Sequence, residues 1–155
     1  MAVTLWLLRH GDAEPHGARS DFERRLTARG ERQATAAGLA LEKLGVTFEQ
    51  VFSSPRVRAL DTAKLACAPL GIEPVVHDAL GGGFSERDCA ELLAGAGAGA
   101  GASVMLVGHE PDLSGLVAAF TGSRVEMKKG GIAAIRERRL VELLRPSEIE
   151  RVAGL

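Results

Sequence analysis

The sequence shows few of the features of secreted, membrane-spanning or nucleic-acid-binding proteins. Its 155 residues carry a formal net charge of −1, whereas general nucleic-acid binding usually comes with a clear excess of basic residues. The apolar run at 3–8 is far too short to cross a bilayer, and no basic segment or small-residue cleavage site accompanies it. Composition therefore predicts neither a nucleic-acid partner nor a membrane partner.

Cysteine is also scarce. The two cysteines, Cys67 and Cys89, lie outside the spacings of zinc sites and redox motifs. Reduced core thiols are the simplest interpretation, and together with the lack of a visible targeting signal they predict a cytoplasmic protein. The 46% hydrophobic and 25% charged residues fit a soluble protein, and the length suits a single domain over 1–155.

Segments with strand and helix character alternate along the chain. Strands are predicted at 3–8, 51–52, 74–77 and 103–107, the first and last of them buried on both faces. Helices are predicted over 27–45, after 53–55, over 85–93 and after Pro111, with a hairpin at 132–144 and a flexible Ala/Gly loop at 94–102. This alternation predicts a three-layer α/β/α fold with a mostly parallel central sheet.

The two longest predicted helices have recognisable ends and faces. Thr27 can cap the first, and Gly45 can end it. Ser53 or Ser54 is expected to cap the second, with Pro55 in its first turn. The residues expected on the buried face of the second helix share helical spacing: Val57, Leu60, Ala63 and Cys67.

Two of the junctions that follow predicted strands carry a histidine. Arg9, His10 and Gly11 follow the first strand, and Gly108 and His109 follow the later one. In open parallel sheets ligands bind at the carboxyl ends of the strands, so we expect the two histidines at one edge of the sheet. The glycines leave room for close approach of the backbone to a ligand.

A third junction adds arginine at the start of a helix. Arg56 follows Ser53, Ser54 and Pro55, where the free N–H groups and partial positive charge of the helix suit an anion. The planar forks of Arg9 and Arg56 match phosphate oxygens. If the three junctions converge, this cluster of cations and histidines needs a dianion to balance it. A neutral His10 could then attack phosphorus as a covalent nucleophile.

The same motifs resemble those of the histidine phosphatase superfamily. They are RHG at 9–11, LTARG at 26–30, SSPRVRALDTA at 53–63 and VGHEPDLSGL at 107–116. The resemblance implies a phosphoglycerate-mutase-like fold and phosphatase activity. No cofactor or metal is expected, because the arginines would supply the positive charge. The resemblance assigns the phosphoryl-accepting role to His10 and phosphate binding to Arg9, Arg56 and His109.

Within the superfamily, the short chain resembles the SixA branch of phosphohistidine phosphatases. The segments concerned are RHGDA at 9–13, the Asp21-x-x-Arg24 spacing and KKGGIA at 128–133. This resemblance implies that Arg24 reaches the phosphate and that the substrate is a phosphorylated protein. Arg25 replaces a proline usual in the branch. Lys128 and Lys129 fit either solvated charges or a substrate role.

The sequence departs from the pattern of many phosphomonoesterases of the superfamily, which carry a glutamate as proton donor in mid-chain. Glu86 is the nearest candidate, but its segment, LGGGFSERDCAEL, does not match that motif. Glu14 and Glu110 are the next candidates for a general acid. A weak match at this position favours a substrate whose leaving group needs no such acid.

Three alternatives stay open. A metal site could use the alternating residues His10, Asp12, Glu14 and His16. A non-catalytic phosphate-binding module would need the arginines but not a nucleophile. An enzyme acting on a small phosphate ester would use the same residues on a different substrate.

Overall fold

The fold is built on one mixed β-sheet. The computed structural model describes residues 2–155, and within them six strands pair in the order β3-β2-β4-β1-β5-β6. Their bounds are β1 Thr4–Arg9, β2 Gln50–Ser53, β3 Val75–Val76, β4 Ser103–Gly108, β5 Ile132–Arg136 and β6 Arg139–Leu144. Strands β1 to β4 are parallel, while β5 runs antiparallel to both β1 and β6. The predicted mostly parallel sheet and the terminal hairpin are confirmed.

Five α-helices connect or follow the strands in the described chain. They are α1 Ala28–Lys43, α2 Val57–Leu70, α3 Glu86–Gly95, α4 Asp112–Thr121 and α5 Pro146–Ala153, with short 3-10 turns at Asp21–Glu23 and Asp78–Gly81. Thr27 caps α1 as predicted, because its hydroxyl accepts from the Gly30 N–H at 3.1 Å. Helix α5 was not predicted. Within residues 2–155 no helix is both long and apolar enough to span a membrane.

The helices cover both faces of the sheet. Alternate residues of β1 point to opposite sides: Trp6 and Leu8 pack with α1, α2 and α5, and Leu5 and Leu7 pack with α3 and α4. The strand is buried on both faces because a helical layer lies over each of them. The three-layer α/β/α arrangement is therefore confirmed.

The start and the buried face of α2 differ from the prediction. The helix begins at Val57 with Arg56 as N-cap, two residues later than a cap at Ser54 would allow, because Ser53 still pairs in β2 and Ser54 is fully buried beneath the site. The predicted buried face was wrong in part, since Val57 and Leu60 are only half-buried. The buried side chains are those of Arg58, Ala59, Thr62, Ala63, Ala66 and Cys67.

The Ala/Gly segment at 94–102 is only partly a loop. Helix α3 continues through Gly95, and turns then lead to Ala102, which is buried next to β4. The predicted helix over 85–93 is confirmed: Ser85 caps it, accepting from the Asp88 N–H at 3.1 Å. This capping fixes where α3 begins, on the side of the sheet that carries α4.

Candidate active site

The register of two central strands brings the histidines together. Arg9 pairs with Gly108 at the carboxyl ends of β1 and β4, so the next residue on each strand is a histidine. The His10 N–H donates to the Gly108 carbonyl at 3.1 Å. The two imidazole rings lie 5.2 Å apart between centroids, and both residues are buried. The predicted convergence of these junctions is therefore seen in the structure.

The hydrogen bonding of His10 defines which ring nitrogen carries its proton. Nδ1 lies 2.8 Å from the Gly11 carbonyl oxygen, and a carbonyl can only accept, so Nδ1 donates and Nε2 retains its lone pair. Burial lowers the pKa of His10 to about 4; the hydrogen bond to Gly11 opposes this shift, and the charges of Arg58 and Arg9 add to it. At neutral pH, His10 is therefore an uncharged imidazole with a free Nε2.

His109 is also held neutral. Its Nε2 lies 2.7 Å from the Ser54 hydroxyl, which in turn accepts from the Arg56 N–H at 3.1 Å. Burial lowers the pKa of His109 to about 3, and the neighbouring His10 and Arg58 contribute further. Among the described residues, Nδ1 of His109 is buried without a hydrogen-bond partner. This ring therefore keeps one unsatisfied polar atom.

Arg9 lies at the end of β1, directly before the histidine. Its Nη1 donates to the Met127 carbonyl at 2.8 Å, while its buried Nε has no partner among residues 2–155. A buried guanidinium nitrogen without an acceptor is costly in a closed interior, so this donor is suited to an anion that enters the site.

The remaining arginines converge on one carboxylate, that of Asp21. Arg24 donates to Oδ1 through Nε at 3.1 Å and through Nη2 at 2.9 Å. Arg56 donates to Oδ2 at 2.6 Å, and Arg58 donates to Oδ2 at 3.3 Å and to the Asp21 carbonyl at 2.7 Å. Partial burial acts to raise the pKa of Asp21, but its hydrogen bond with Arg24 and the charge of Arg58 lower it overall. Asp21 is therefore an anion that binds three cations.

Arg58 was missed by the sequence analysis, which assigned the arginine of this segment to Arg56. The structure brings both to the site. Arg58 is the more buried of the two, with a side chain 7% exposed against 30% for Arg56. Arg58 and Thr62 are one helical turn apart on the buried face of α2, and the small Ala59 and Ala63 beside them were the available signal.

Thr62 and the two glycines of the first motifs fix the loop after β1. The Thr62 hydroxyl accepts from the Gly11 N–H at 3.1 Å and donates to the Arg58 carbonyl at 2.7 Å. A Cβ on Gly11 would lie 2.6 Å from the Gly30 carbonyl oxygen, and a Cβ on Gly30 would collide with the Asp12 backbone. Gly11 therefore allows the loop to pack closely against the start of α1. The sequence had instead predicted that this glycine leaves room for a ligand.

Two of the three candidate acids, Glu14 and Glu110, are bound by neighbouring donors. The Arg19 side chain donates to Glu14 at 2.8 Å, and this bond, with the Arg25 N–H, lowers the pKa of Glu14. The Glu110 carboxylate accepts from the Ser114 N–H at 2.8 Å and from the Ser114 hydroxyl. Glu86 is exposed in the first turn of α3.

The structure disperses the residues of the metal-site alternative. Asp12 accepts from the Thr27 hydroxyl at 2.8 Å and pairs with Lys129 at 3.6 Å. His16 is exposed and lies 3.7 Å from Asp21. Within the part of the chain that the structure describes, no group of three or more His, Cys, Asp or Glu could hold a metal ion.

Known proteins with similar sequences and folds carry the same type of domain. The family model described as histidine phosphatase superfamily (branch 1) matches residues 5–92. An uncharacterised curated protein of Picosynechococcus sp. is 36% identical over 140 residues, covering 86% of this chain and 85% of that protein.

Three solved structures extend the comparison across almost the whole chain. The protein histidine phosphatase SixA complexed with tungstate is 26% identical with a TM-score of 0.82, covering 93% of this chain and 97% of that one. A chain provisionally assigned as phosphohistidine phosphatase SixA from Agrobacterium tumefaciens is 27% identical with a TM-score of 0.77, covering 92% and 98%. Phosphoserine phosphatase from Entamoeba histolytica, at 16% identity and a TM-score of 0.71 over 95% and 99%, shares the fold.

Proposed function

This chain belongs to the histidine phosphatase superfamily, and we propose that it hydrolyses phosphohistidine on proteins through a phosphohistidine intermediate on His10. The family makes it a phosphatase. The likeness to SixA structures supports the choice of a protein phosphohistidine substrate. Small phosphate esters are the alternative substrate class.

The state of His10 carries the proposal. A nucleophilic imidazole must be neutral and must direct a lone pair at phosphorus. Nδ1 of His10 donates to the Gly11 carbonyl at 2.8 Å, and burial lowers the pKa of His10 to about 4. Both facts leave Nε2 unprotonated at neutral pH, in a ring that the loop after β1 holds in one orientation.

The surrounding donors suit a phosphoryl group. We propose that Arg9, Arg24, Arg56 and Arg58 bind its oxygens, with His109 as a further donor and the backbone at Gly11 lining the site. Asp21 now accepts from three of these arginines, so an incoming phosphoryl group competes with that carboxylate. Arginine forks compensate the negative charge of the transition state.

The reaction proceeds in two displacements. Nε2 of His10 attacks phosphorus, the P–N bond to the substrate imidazole breaks, and the leaving imidazole keeps the electron pair and the proton already on its ring. Water then attacks the phosphohistidine, the new P–O bond forms, and the electron pair of the broken P–N bond returns to Nε2. The proton of the attacking water leaves with the phosphate or passes to solvent.

The environment of the carboxylates supports phosphohistidine over esters. A serine alkoxide is a poor leaving group that needs a proton from a positioned acid, which is typically worth about 10²–10⁴-fold in rate. Glu14 has a lowered pKa and Glu110 is bound to Ser114. An imidazole leaving group titrates near neutrality and can enter the site already protonated.

We further propose that residues 1–155 act as one cytoplasmic domain that needs no metal. The arginines supply the positive charge that a metal would otherwise give. Cys67 and Cys89 are free and buried, and burial raises the pKa of Cys67 to about 11 and that of Cys89 to about 12. Such unreactive thiols are compatible with a reducing compartment.

A substrate panel tests the proposal. We expect kcat/KM to fall from a phosphohistidine peptide through an aryl phosphate to a phosphoserine peptide of the same sequence, because the leaving groups need increasing help from an acid. Chelators should leave the rates unchanged, and tungstate should inhibit. Phosphoserine equal to phosphohistidine would refute the substrate assignment, and turnover restored only by a divalent ion would refute metal independence.

A further inference from the structure

A strongly basic cavity lies beside the segment that carries His10. This groove has a volume of about 520 Å³ and lies between the loop after β1, the first turn of α1, the segment before β5 and the start of α5. Its charged lining residues are Arg9, Asp12, Arg29, Lys128, Lys129 and Arg145. Five cations against one carboxylate contrast with the formal net charge of −1 for the whole chain.

The groove borders the loop that carries His10. Arg9 and Asp12, which line it, flank the segment of His10 and Gly11 in the chain. The charge of Lys129 is among the causes that lower the pKa of His10. The groove is therefore within reach of the residues that flank a phosphoryl group held at His10.

The cations of the groove are weakly compensated. Lys128 pairs with Glu126 at 3.0 Å, but the two side chains are 55% and 76% exposed. Pairs of this kind contribute little and exchange readily with other anions. Across residues 2–155, neither Arg9 nor Arg29 forms an ion pair.

Two arginines lie where helices disfavour cations. Arg29 is in the first turn of α1, and Arg145 is the N-cap of α5. Helix N-termini carry partial positive charge and prefer acidic neighbours. Each first turn also holds one acidic residue, Glu31 in α1 and Glu148 in α5, but only Glu148 pairs with its arginine, Arg145, at 3.3 Å. Arg29, which forms no ion pair within residues 2–155, therefore adds to the positive potential of the groove.

We propose that this groove binds acidic side chains flanking the phosphohistidine of a protein substrate. The inference rests on the proposed function and names the kind of protein surface it acts on. Buried, convergent polar groups would be expected for one small ligand. The groove instead presents long, solvent-exposed cations, with Lys128, Lys129 and Arg145 side chains 55%, 47% and 66% exposed, and these suit carboxylates spread over a surface.

A binding experiment tests the groove without relying on turnover. Two fluorescent peptides carry a stable phosphonate analogue of phosphohistidine, flanked on both sides by glutamates in one and by glutamines in the other. Fluorescence anisotropy should give an affinity for the acidic peptide about tenfold higher at low salt, falling toward equality at high salt. Equal affinities at low salt would overturn the proposal.

Matched charge removals then locate the effect. The double variant Arg29→Gln/Arg145→Gln should abolish the preference for the acidic peptide. The control Arg138→Gln/Arg139→Gln removes the same charge from the β5–β6 turn, at the opposite edge of the sheet from His10, and should keep the preference. Loss of the preference in both variants would indicate a general charge effect and would overturn the proposal that this groove binds the acidic residues.

Turnover separates this inference from the proposed function. Hydrolysis of an aryl phosphate, which has no acidic flank, should be unchanged by Arg29→Gln/Arg145→Gln. If that rate falls with the variant, the arginines belong to the phosphate site and an accessory groove is refuted. If no substrate is hydrolysed by the unaltered protein while the acidic peptide still binds preferentially, the proposed function fails and the groove stands.

Discussion

The two halves of the active site are held by different kinds of structure. His10 and His109 are placed by backbone pairing at the ends of β1 and β4, and both rings are buried. The arginines of the other half come from a loop and from the start of α2, and they meet at the Asp21 side chain, which is 46% exposed. The histidines cannot move without the sheet, whereas ion pairs at a solvated carboxylate can rearrange. The proposed nucleophile is thus held by the sheet, and the proposed anion-binding side can adapt to its ligand.

Replacing His10, the proposed nucleophile, should have the largest effect. In His10→Ala we expect kcat to fall on the order of 10⁶-fold, the scale seen when a catalytic nucleophile is deleted. Mass spectrometry after a quench that avoids acid should find phosphate on His10 in the unaltered protein only. His16→Ala, which changes an exposed histidine, serves as the control, and substantial activity in His10→Ala would refute the mechanism.

Substitutions of the arginines should reduce kcat/KM less than loss of His10, and by different amounts at Arg58 and Arg56. Arg58→Lys should reduce kcat/KM on the order of 10²–10³-fold, because lysine keeps the charge but loses the planar fork. Arg56→Lys should cost less, since its side chain is 30% exposed against 7% for Arg58. Steady-state kinetics of both variants on one substrate decides the order; the reverse order would restore Arg56 as the principal arginine.

The buried histidines should also make stability depend on pH. The pKa values of His10 and His109 fall from 6.5 to about 4 and about 3 on folding, so the unfolded chain binds more protons between these values. The free energy of unfolding should therefore decrease as the pH falls from about 6.5 toward 4.

Thermal unfolding should report this as a Tm lower by several degrees at pH 5 than at pH 7. The variant His109→Gln should flatten the dependence, and His16→Gln should not. A Tm that stays level over this range, or that rises as the pH falls, would contradict the neutral state of the histidine pair.

The smallest expected effect concerns the carboxylate that binds the arginines. Asp21→Asn removes a negative charge that competes with phosphate, so inorganic phosphate should inhibit more tightly by up to about fivefold, the limit for a partly exposed ion pair. Weaker inhibition in Asp21→Asn would mean that Asp21 mainly orients the arginines. Inhibition constants at fixed ionic strength distinguish the two roles.

The sequence predicts the histidine half of the site better than the arginine half. The ends of buried strands carry strong local signals, so His10 and His109 could be brought to one sheet edge from their positions alone. Arg58 depends on the rotation of α2, and a helix that begins at Val57 instead of Pro55 changes which arginine is buried. The pairing of Asp21 with Arg56 and Arg58 joins residues far apart in sequence, and no local pattern encodes it.

The missed helix α5 has a related cause. Only Ile149 and Ala153 are buried in it, which is too short a periodic pattern to stand out. Its start was marked by Pro146 at the first position and by the Glu148 carboxylate, which accepts from the Arg145 N–H at 2.9 Å. The basic groove could not be predicted either, but for a different reason: it is assembled from segments that only the fold brings together.

The close contact between Gly11 and Gly30 makes the alignment of the nucleophile depend on how α1 is seated. Backbone presses directly on backbone there, so no flexible side chain can absorb a displacement. A shift of α1 along its axis would therefore be passed to the loop that orients the His10 ring. Since an error of about 1 Å in a reacting atom can cost about 10²-fold in rate, the seating of α1 should matter to catalysis as well as to the fold.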